Sequence, residues 1–247
     1  MRTTPVAIFF ASDFGLADGF VGVVEAKIAA LAPSVRVVHL AHDIAPQDLH
    51  AGSYVIWSAA PHLPDGSIVL AVVDPGVGSA RAAIAARGRL TYVGPDNGLF
   101  GAAWLRDPPS EAFELTRDPA TLARTFDGRD LFGPSAARLA LGQTVGTSVD
   151  PRRLRAGPCT PTRTSEGEIW TFDRYGNAIT TLERDFGSSG SLSIGERTLP
   201  IASHFADVGI SEPVAYIGSS GLVEIAIRDG SAQRSLALAR GARVRLT

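Results

Sequence analysis

The chain is nearly free of cysteine: its 247 residues hold one, Cys159, in a Pro/Thr-rich stretch with no CxxC and no Cys/His partner. That excludes an internal disulfide and a thiolate zinc site, and leaves an incidental thiol. An excess of positive charge is missing too. Against 25 Asp+Glu there are 23 Lys+Arg, for a net charge of -2, and no basic run is suited to replacing the counterions of a phosphate backbone. Nucleic acid is not an expected partner. No stretch approaches the about 18 consecutive apolar residues that cross a bilayer. The start, MRTTPVAIFFASDFG, has only a short apolar run and no small-residue cleavage site after it. The expectation is a soluble, cytoplasmic protein with no membrane partner. His39, His42, His50 and His62 lack metal-ligand spacing, so they read as structural or surface residues and no metal is expected. Internal repeats and low-complexity tracts are absent as well.

What is present is an alternation of short β-rich runs with helix-like stretches over the first part, the pattern of an α/β fold with a mostly parallel sheet and flanking helices. Val6 to Ala11 reads as the first strand. Phe20, Val24, Ile28 and Leu31 recur at helical spacing, on a helix that stops near Pro33. A strand over Val35 to Leu40, a helix over Asp48 to Ala60 and the apolar run SIVLAVV follow; that run has the character of a buried central strand. Short strands around Ile84 and Tyr92 and a helix from Gly133 to Leu141 complete this part. The segment PRRLRAGPCTPTRTSEGE then breaks the periodicity and reads as a connection. Residues 1–155 are expected to form an N-terminal α/β domain. Residues 166–247, with short alternating runs and glycine turns, are expected to form a smaller C-terminal antiparallel β-barrel-like domain.

Several segments bring chemistry to loops. Asp13 follows the first strand, where ligands bind in open α/β sheets, and either caps the next helix or accepts hydrogen bonds from a ribose diol. In VVDPGVGSAR a buried strand delivers Asp74 to the sheet edge, and Arg81 follows seven residues later, so carboxylate and guanidinium can face one cavity or simply brace the turn. As a dinucleotide fingerprint GVGSAR lacks the third glycine. PDNG suits a tight turn, and FDGRDLFGP sets Asp127, Arg129 and Asp130 ahead of a helix. DRYGNAIT groups Asp173, Tyr175 and Asn177; an Asn amide can pair with the N6/N7 edge of adenine, and a tyrosine can stack on the base or pack. GSSG offers Ser219 and Ser220 to a carboxylate, or is an ordinary turn.

Taken together and in order, SDFGLADGFVG, VVDPGVGSAR, VGPDNGLF, FDGRDLFGPSAARLA, DRYGNAIT and YIGSSGLVEIA resemble the SAM hydroxide adenosyltransferase family, the adenosine-forming SAM hydrolases related to fluorinase and chlorinase. The resemblance implies cleavage of S-adenosylmethionine by water at the ribose 5′ carbon, giving adenosine and methionine. It implies no metal and no cofactor. It also implies a homotrimer whose active sites combine the N-domain of one subunit with the C-domain of its neighbour. Carried over by motif, Asp13 holds the ribose hydroxyls, Asn177 the adenine beside Tyr175, Asp173 the methionine ammonium, and Ser219 or Ser220 the methionine carboxylate. Asp74 and Arg81 match the water-positioning pair. At the third catalytic position the family has FHGRD where this chain has FDGRD, so Asp127 replaces a histidine. Set near Asp74, its like charge would raise the apparent pKa of the pair and supply a better base, with histidine tolerated in its place. Halogenating relatives hold halide with hydroxyl residues at positions that here are Val77 and Gly128, which leaves water as the nucleophile. The competing readings are a non-catalytic binder of SAM or adenosine, and 5′-adenosyl transfer to another nucleophile.

Overall fold

A computed structural model describes residues 7–118 and 124–247. The chain divides between Pro158 and Cys159 into two compact units.

The first unit is a seven-stranded sheet. Its strands are β1 (Ile8–Ser12), β2 (Val37–Ala41), β3 (Ile68–Val72), β4 (Ala83–Arg87), β5 (Thr91–Pro95), β6 (Glu111–Glu114) and β7 (Thr147–Val149), in the order β2-β1-β3-β5-β4-β6-β7. The pairings from β2 through β5 are parallel. Those of β4 with β5, β4 with β6 and β6 with β7 are antiparallel, so five of the seven strands run one way. Val6, placed at the start of the first strand from the sequence, lies outside the described residues.

SIVLAVV becomes an interior strand of the sheet because it is apolar on both faces. Ile68, Leu70 and Val72 enter the core beneath α1 (Phe20–Leu31) and α4 (Gly133–Ala140), while Val69, Ala71 and Val73 enter the core that includes α2 (Leu49–Ala59) and α3 (Gly101–Trp104). α1 forms where expected, but its buried stripe is Val21, Val24 and Ile28. Phe20 and Leu31, expected on that stripe, are 47% and 41% exposed. Phe20 instead meets Phe14 at a tilt and Phe126 edgewise at the helix entrance, with ring centroids 6.1 and 5.3 Å away.

In the second unit seven strands close into a barrel: β8 (Glu166–Phe172), β9 (Ala178–Glu183), β10 (Ser191–Ile194), β11 (Arg197–Ala202), β12 (Pro213–Ile217), β13 (Leu222–Ile227) and β14 (Arg243–Leu246), in the order β10-β11-β12-β13-β9-β8-β14. Ile169, Leu182, Leu192, Val223, Ile225 and Val244 fill it. One pairing, β11 with β12, is parallel, because the segment between them carries a 3-10 turn, Phe205–Asp207, and returns the chain in the same direction. The remaining pairings are antiparallel; three of them, β8 with β9, β10 with β11 and β12 with β13, join consecutive strands through short turns.

Candidate active site

In the first unit the chain leaves β1 for β2 on one side and later returns to β3 on the other. The strand order therefore reverses between β1 and β3, and a crevice opens at their carboxyl ends. Asp13 directly follows β1, and Asp74 lies two residues beyond β3. The two ends are held level, since Ser12 pairs with Val72 and Asp13 N donates to Val72 O at 3.3 Å. The next parallel strand, β5, runs into the PDNG turn. There Asn97 Nδ2 donates to Val73 O at 2.9 Å and Asp96 Oδ1 accepts from Arg155 N at 2.9 Å, so this motif braces the end of β3.

Asp74 and Arg81 face each other across the turn DPGVGSAR, whose Gly78 has φ +79°, a left-handed conformation that favours glycine. Arg81 Nε lies 2.9 Å from Asp74 Oδ1 and 3.0 Å from Oδ2, and its Nη2 donates to Oδ2 as well. The same Nη2 donates to Asp127 Oδ2 at 2.6 Å. Asp127 Oδ1 in turn accepts from Arg117 Nη2. The result is a row of alternating charge, Asp74, Arg81, Asp127, Arg117, with side chains 5%, 10%, 2% and 24% exposed. Burial works against the Arg81 charge, but the hydrogen bonds and charges of Asp74 and Asp127 outweigh it and push its pKa up. Its Nη1 takes no partner among the described residues. Beside the row opens a cavity of about 170 Å³ lined by Gly78, Ser79, Arg81, Arg117, Arg124 and Asp127.

Sequence reasoning joins Asp74 to Arg81 correctly, but its supposition that Asp127 forms a like-charge couple with Asp74 is overturned. A guanidinium stands between the two carboxylates. Asp127 ends up there because a π-helical turn, Gly128–Phe132, carries it to the mouth of α4. Arg129, in that turn, makes a two-pronged bond to Asp130 at 2.7 and 2.6 Å, and Asp130 caps nothing.

Asp13 does not cap α1, whose N-cap is Gly19 with no side-chain hydrogen bond. Its Oδ2 accepts from Gln47 N at 2.7 Å. Burial raises the Asp13 pKa, the Gln47 hydrogen bond opposes, and the Asp74 charge adds to the rise. Two further ties hold this loop: Gly15 N donates to His42 O at 2.8 Å, and Ser12 Oγ lies 2.7 Å from His42 Nδ1. Phe14 N donates to Ser12 Oγ at 3.4 Å. From His42 Nε2 the chain of contacts continues to His39 Nδ1 at 2.8 Å, and His39 Nε2 meets Glu25 Oε2 at 3.5 Å. Burial, with the His39 charge, pushes the buried His42 down to about 4, so it is a neutral hydrogen-bonding element.

In the second unit Asp173 organises its own turn. Its Oδ1 accepts from the backbone N–H groups of Tyr175 and Asn177, both at 2.9 Å, and its Oδ2 accepts from Asn177 Nδ2 at 2.7 Å. The Asn177 side chain keeps its carbonyl and one N–H, the pair that matches the N6/N7 edge of adenine. Tyr175 is 77% exposed, so its ring is not packing in this unit. Ser219 and Ser220 occupy the turn between β12 and β13, and Ser220 Oγ is buried with no hydrogen-bond partner among the described residues. Beneath this turn Glu224 is buried and accepts from Tyr216 Oη at 2.5 Å; a Cβ at Gly218 would lie 1.9 Å from Glu224 Oε1 and would displace the Glu224 carboxylate. Burial raises the Glu224 pKa, the Tyr216 bond opposes, and the Asp173 charge adds to the rise. Cys159 is buried too, its thiol pushed up to about 12 by burial and by Glu168. Among the described residues no group of three or more His, Cys, Asp or Glu is arranged to hold a metal ion, and no helix is long and apolar enough to cross a membrane.

Residues 8–148 match the model of the SAM hydroxide adenosyltransferase N-terminal domain, and residues 167–245 match that of its C-terminal domain. The chain belongs to the SAM hydroxide adenosyltransferase family. Within the family it is 50% identical to an (R)-S-adenosyl-L-methionine hydrolase of Thermus thermophilus, over 97% of this chain and 98% of that one. It is 40% identical to an enzyme of the same name from Salinispora tropica, over 100% and 99%. A crystal structure of a conserved hypothetical protein from Thermus thermophilus superposes with a TM-score of 0.89 at 50% identity, covering 98% of this chain and 99% of that one. Every motif-bearing residue described above falls inside the two matched segments, and so does Arg117.

Proposed function

We propose that this protein hydrolyses (R)-S-adenosylmethionine, water attacking the ribose 5′ carbon to release adenosine and methionine. The observation that carries this is the two-pronged Asp74–Arg81 pair at the switch-point crevice, in a chain similar over nearly its whole length to proteins named for that activity. The relatives' names also supply the sulfonium epimer.

The sulfonium is a good leaving group from the start, so the protein's task is to place one water in line with the C5′–S bond and to receive one proton. Arg81 Nη1, with no protein partner among the described residues, is the donor toward that water and stabilises the hydroxide-like charge that develops on it. Asp74 orients the water with the lone pairs that Arg81 leaves. As the O–C5′ bond forms and the C5′–S pair withdraws to sulfur, the attacking oxygen becomes a protonated alcohol. The Asp74 carboxylate can then take its proton. In this reading Asp13 accepts from the ribose diol, Asn177 reads adenine with Tyr175 against the base, and Ser219 and Ser220 receive the methionine carboxylate. Asp173 receives the methionine ammonium and, through its bond to Asn177 Nδ2, fixes that amide's orientation as well. Asp127 acts by holding Arg81. No metal or cofactor takes part.

The reading extends to a cytoplasmic homotrimer in which each active site takes first-unit residues from one subunit and second-unit residues from a neighbour. Analytical ultracentrifugation measures the assembly state. Incubation of each SAM epimer in ¹⁸O-water tests the reaction: label in the 5′ hydroxyl of adenosine, with the (R) epimer consumed faster, is the expected result. Binding of SAM without turnover would favour the non-catalytic reading instead.

A further inference from the structure

The outer end of the charge row is Arg117, which lies in the irregular stretch after β6 and belongs to no motif singled out in the sequence. Its Nη2 donates to Asp127 Oδ1, while Asp127 Oδ2 is occupied by Arg81. Asp127 is almost fully buried, and a buried carboxylate is tolerated only with its charge compensated and its oxygens hydrogen-bonded. With Arg117 in place, two acids and two guanidiniums sum to zero. Without it the row loses one of its two guanidiniums, and Arg81 is left shared by two buried acids.

Geometry links that charge balance to the reacting end. Arg81 can turn Nε and Nη2 toward Asp74 and leave Nη1 free only if the second carboxylate stays on the Nη2 side. With Oδ1 of Asp127 anchored by Arg117, Oδ2 is fixed facing Arg81. An Asp127 released from Arg117 is free to rotate, to take two N–H groups of Arg81 for itself and to draw the guanidinium away from Asp74. We propose that Arg117 is a positioning residue for hydrolysis, holding Asp127, and through it Arg81, in the orientation that leaves Nη1 for the attacking water. The inference rests on the hydrolase reading given above.

The test is a double-mutant cycle on the full chain, with Arg117→Gln, Asp127→Asn, the combined variant, and Arg117→Lys, read as kcat and KM for SAM. A misplaced catalytic group costs up to about 10²-fold. Each neutralising single change is therefore expected to lower kcat by about 10- to 100-fold with KM within about 3-fold, because Arg117 is assigned no substrate contact. Asp127→Asn leaves two guanidiniums facing each other without their shared acid, so adding Arg117→Gln is expected to restore part of the loss; contacting residues of one network are non-additive in this way. Arg117→Lys keeps the charge and is expected to stay within about 5-fold of the parent. ¹⁵N-arginine spectra give a readout independent of turnover: Arg81 Nη groups resolved by hindered rotation in the parent and in Arg117→Lys, and averaged in Arg117→Gln.

Parental kcat in Arg117→Gln, a combined loss equal to the product of the single losses, or a rise in KM with kcat unchanged overturns the proposal. Should Arg117→Gln alone fail to fold, Asp127→Asn and the combined variant decide the case: a combined variant more active than Asp127→Asn is the expected result, and one no more active than Asp127→Asn overturns the proposal. If the parent produces no adenosine from SAM, the hydrolase reading itself fails, and the spectra alone then decide whether Arg117 orders Arg81.

Discussion

Asp127 Oδ2 accepts from Arg81 Nη2 at 2.6 Å, while its other oxygen is taken by Arg117. A carboxylate so engaged is a holder of guanidiniums rather than a free base. Histidine at this position, tolerated on the sequence reading, has one lone pair to offer and two donors to satisfy. Asp127→His is therefore expected to lose at least about 10-fold in kcat, because either Arg81 or Arg117 loses its hydrogen bond to this position. Steady-state kinetics at saturating SAM decide this; activity equal to the parent would uphold the sequence reading.

Asp74 and Arg81 are assigned to interactions made with the water rather than with the bound substrate. Replacing either with alanine is expected to reduce kcat by roughly 10²–10³-fold, the usual effect of losing one preorganised electrostatic group, with little change in the Kd for SAM. Calorimetric titration alongside single-turnover kinetics separates the two quantities. Full turnover in both variants would remove the pair from the mechanism.

Asn177→Ala is expected to weaken SAM and adenosine together, since its contact with the base is the same before and during reaction. Asp173 bonds the Asn177 amide directly, so Asp173→Ala is expected to raise the Kd of adenosine as well, even though adenosine carries no ammonium. An Asp173 variant that binds adenosine normally and SAM poorly would confine this residue to the amino-acid end.

The buried His42 sets a pH dependence of stability. Burial holds its folded-state pKa at about 4, against 6.5 for a free imidazole. Between those values the unfolded chain binds the proton and the folded chain does not. The contribution is therefore fully present above about pH 6.5 and is lost as pH falls toward about 4, amounting to at most about 3 kcal/mol. Glu224 acts in the opposite sense: its folded pKa is raised, so its contribution is present at low pH and is lost as pH rises through the carboxylate range. Urea melts of the parent and of His42→Asn at about pH 4.5 and about pH 7 isolate the histidine, because Glu224 is common to both. The parent is expected to show the larger acid-side loss; equal losses would assign the effect elsewhere.

The sequence made legible whatever was local and periodic. The apolar run SIVLAVV and the glycine-rich turn after it place Asp74 and Arg81 correctly because strand, turn and side chains all lie within one short segment. α1 is found, but its stripe is misread by one position, since Phe20 and Leu31 are as apolar as the residues that turn inward. Arg117 is invisible because it sits in an aperiodic stretch and meets Asp127 ten residues later through side chains alone. The Ser12–His42–His39 chain is hidden for a similar reason: Ser12 and His42 are thirty positions apart and are joined only when β1 pairs with β2. Strands β6 and β7 are short, and neither is a pronounced alternating run.

Because β10 pairs with both β11 and β14, the ring of the second unit has no first or last strand. Each of its strands pairs with a neighbour on both sides, so the unit offers little edge onto which another chain could be added by backbone pairing. Whatever docks there must be recognised through side chains and turns. Tyr175, Phe186 and Ile210, 77%, 72% and 69% exposed, are the most exposed of its large apolar groups. Single substitutions at these three positions can therefore alter association while leaving the ring itself intact.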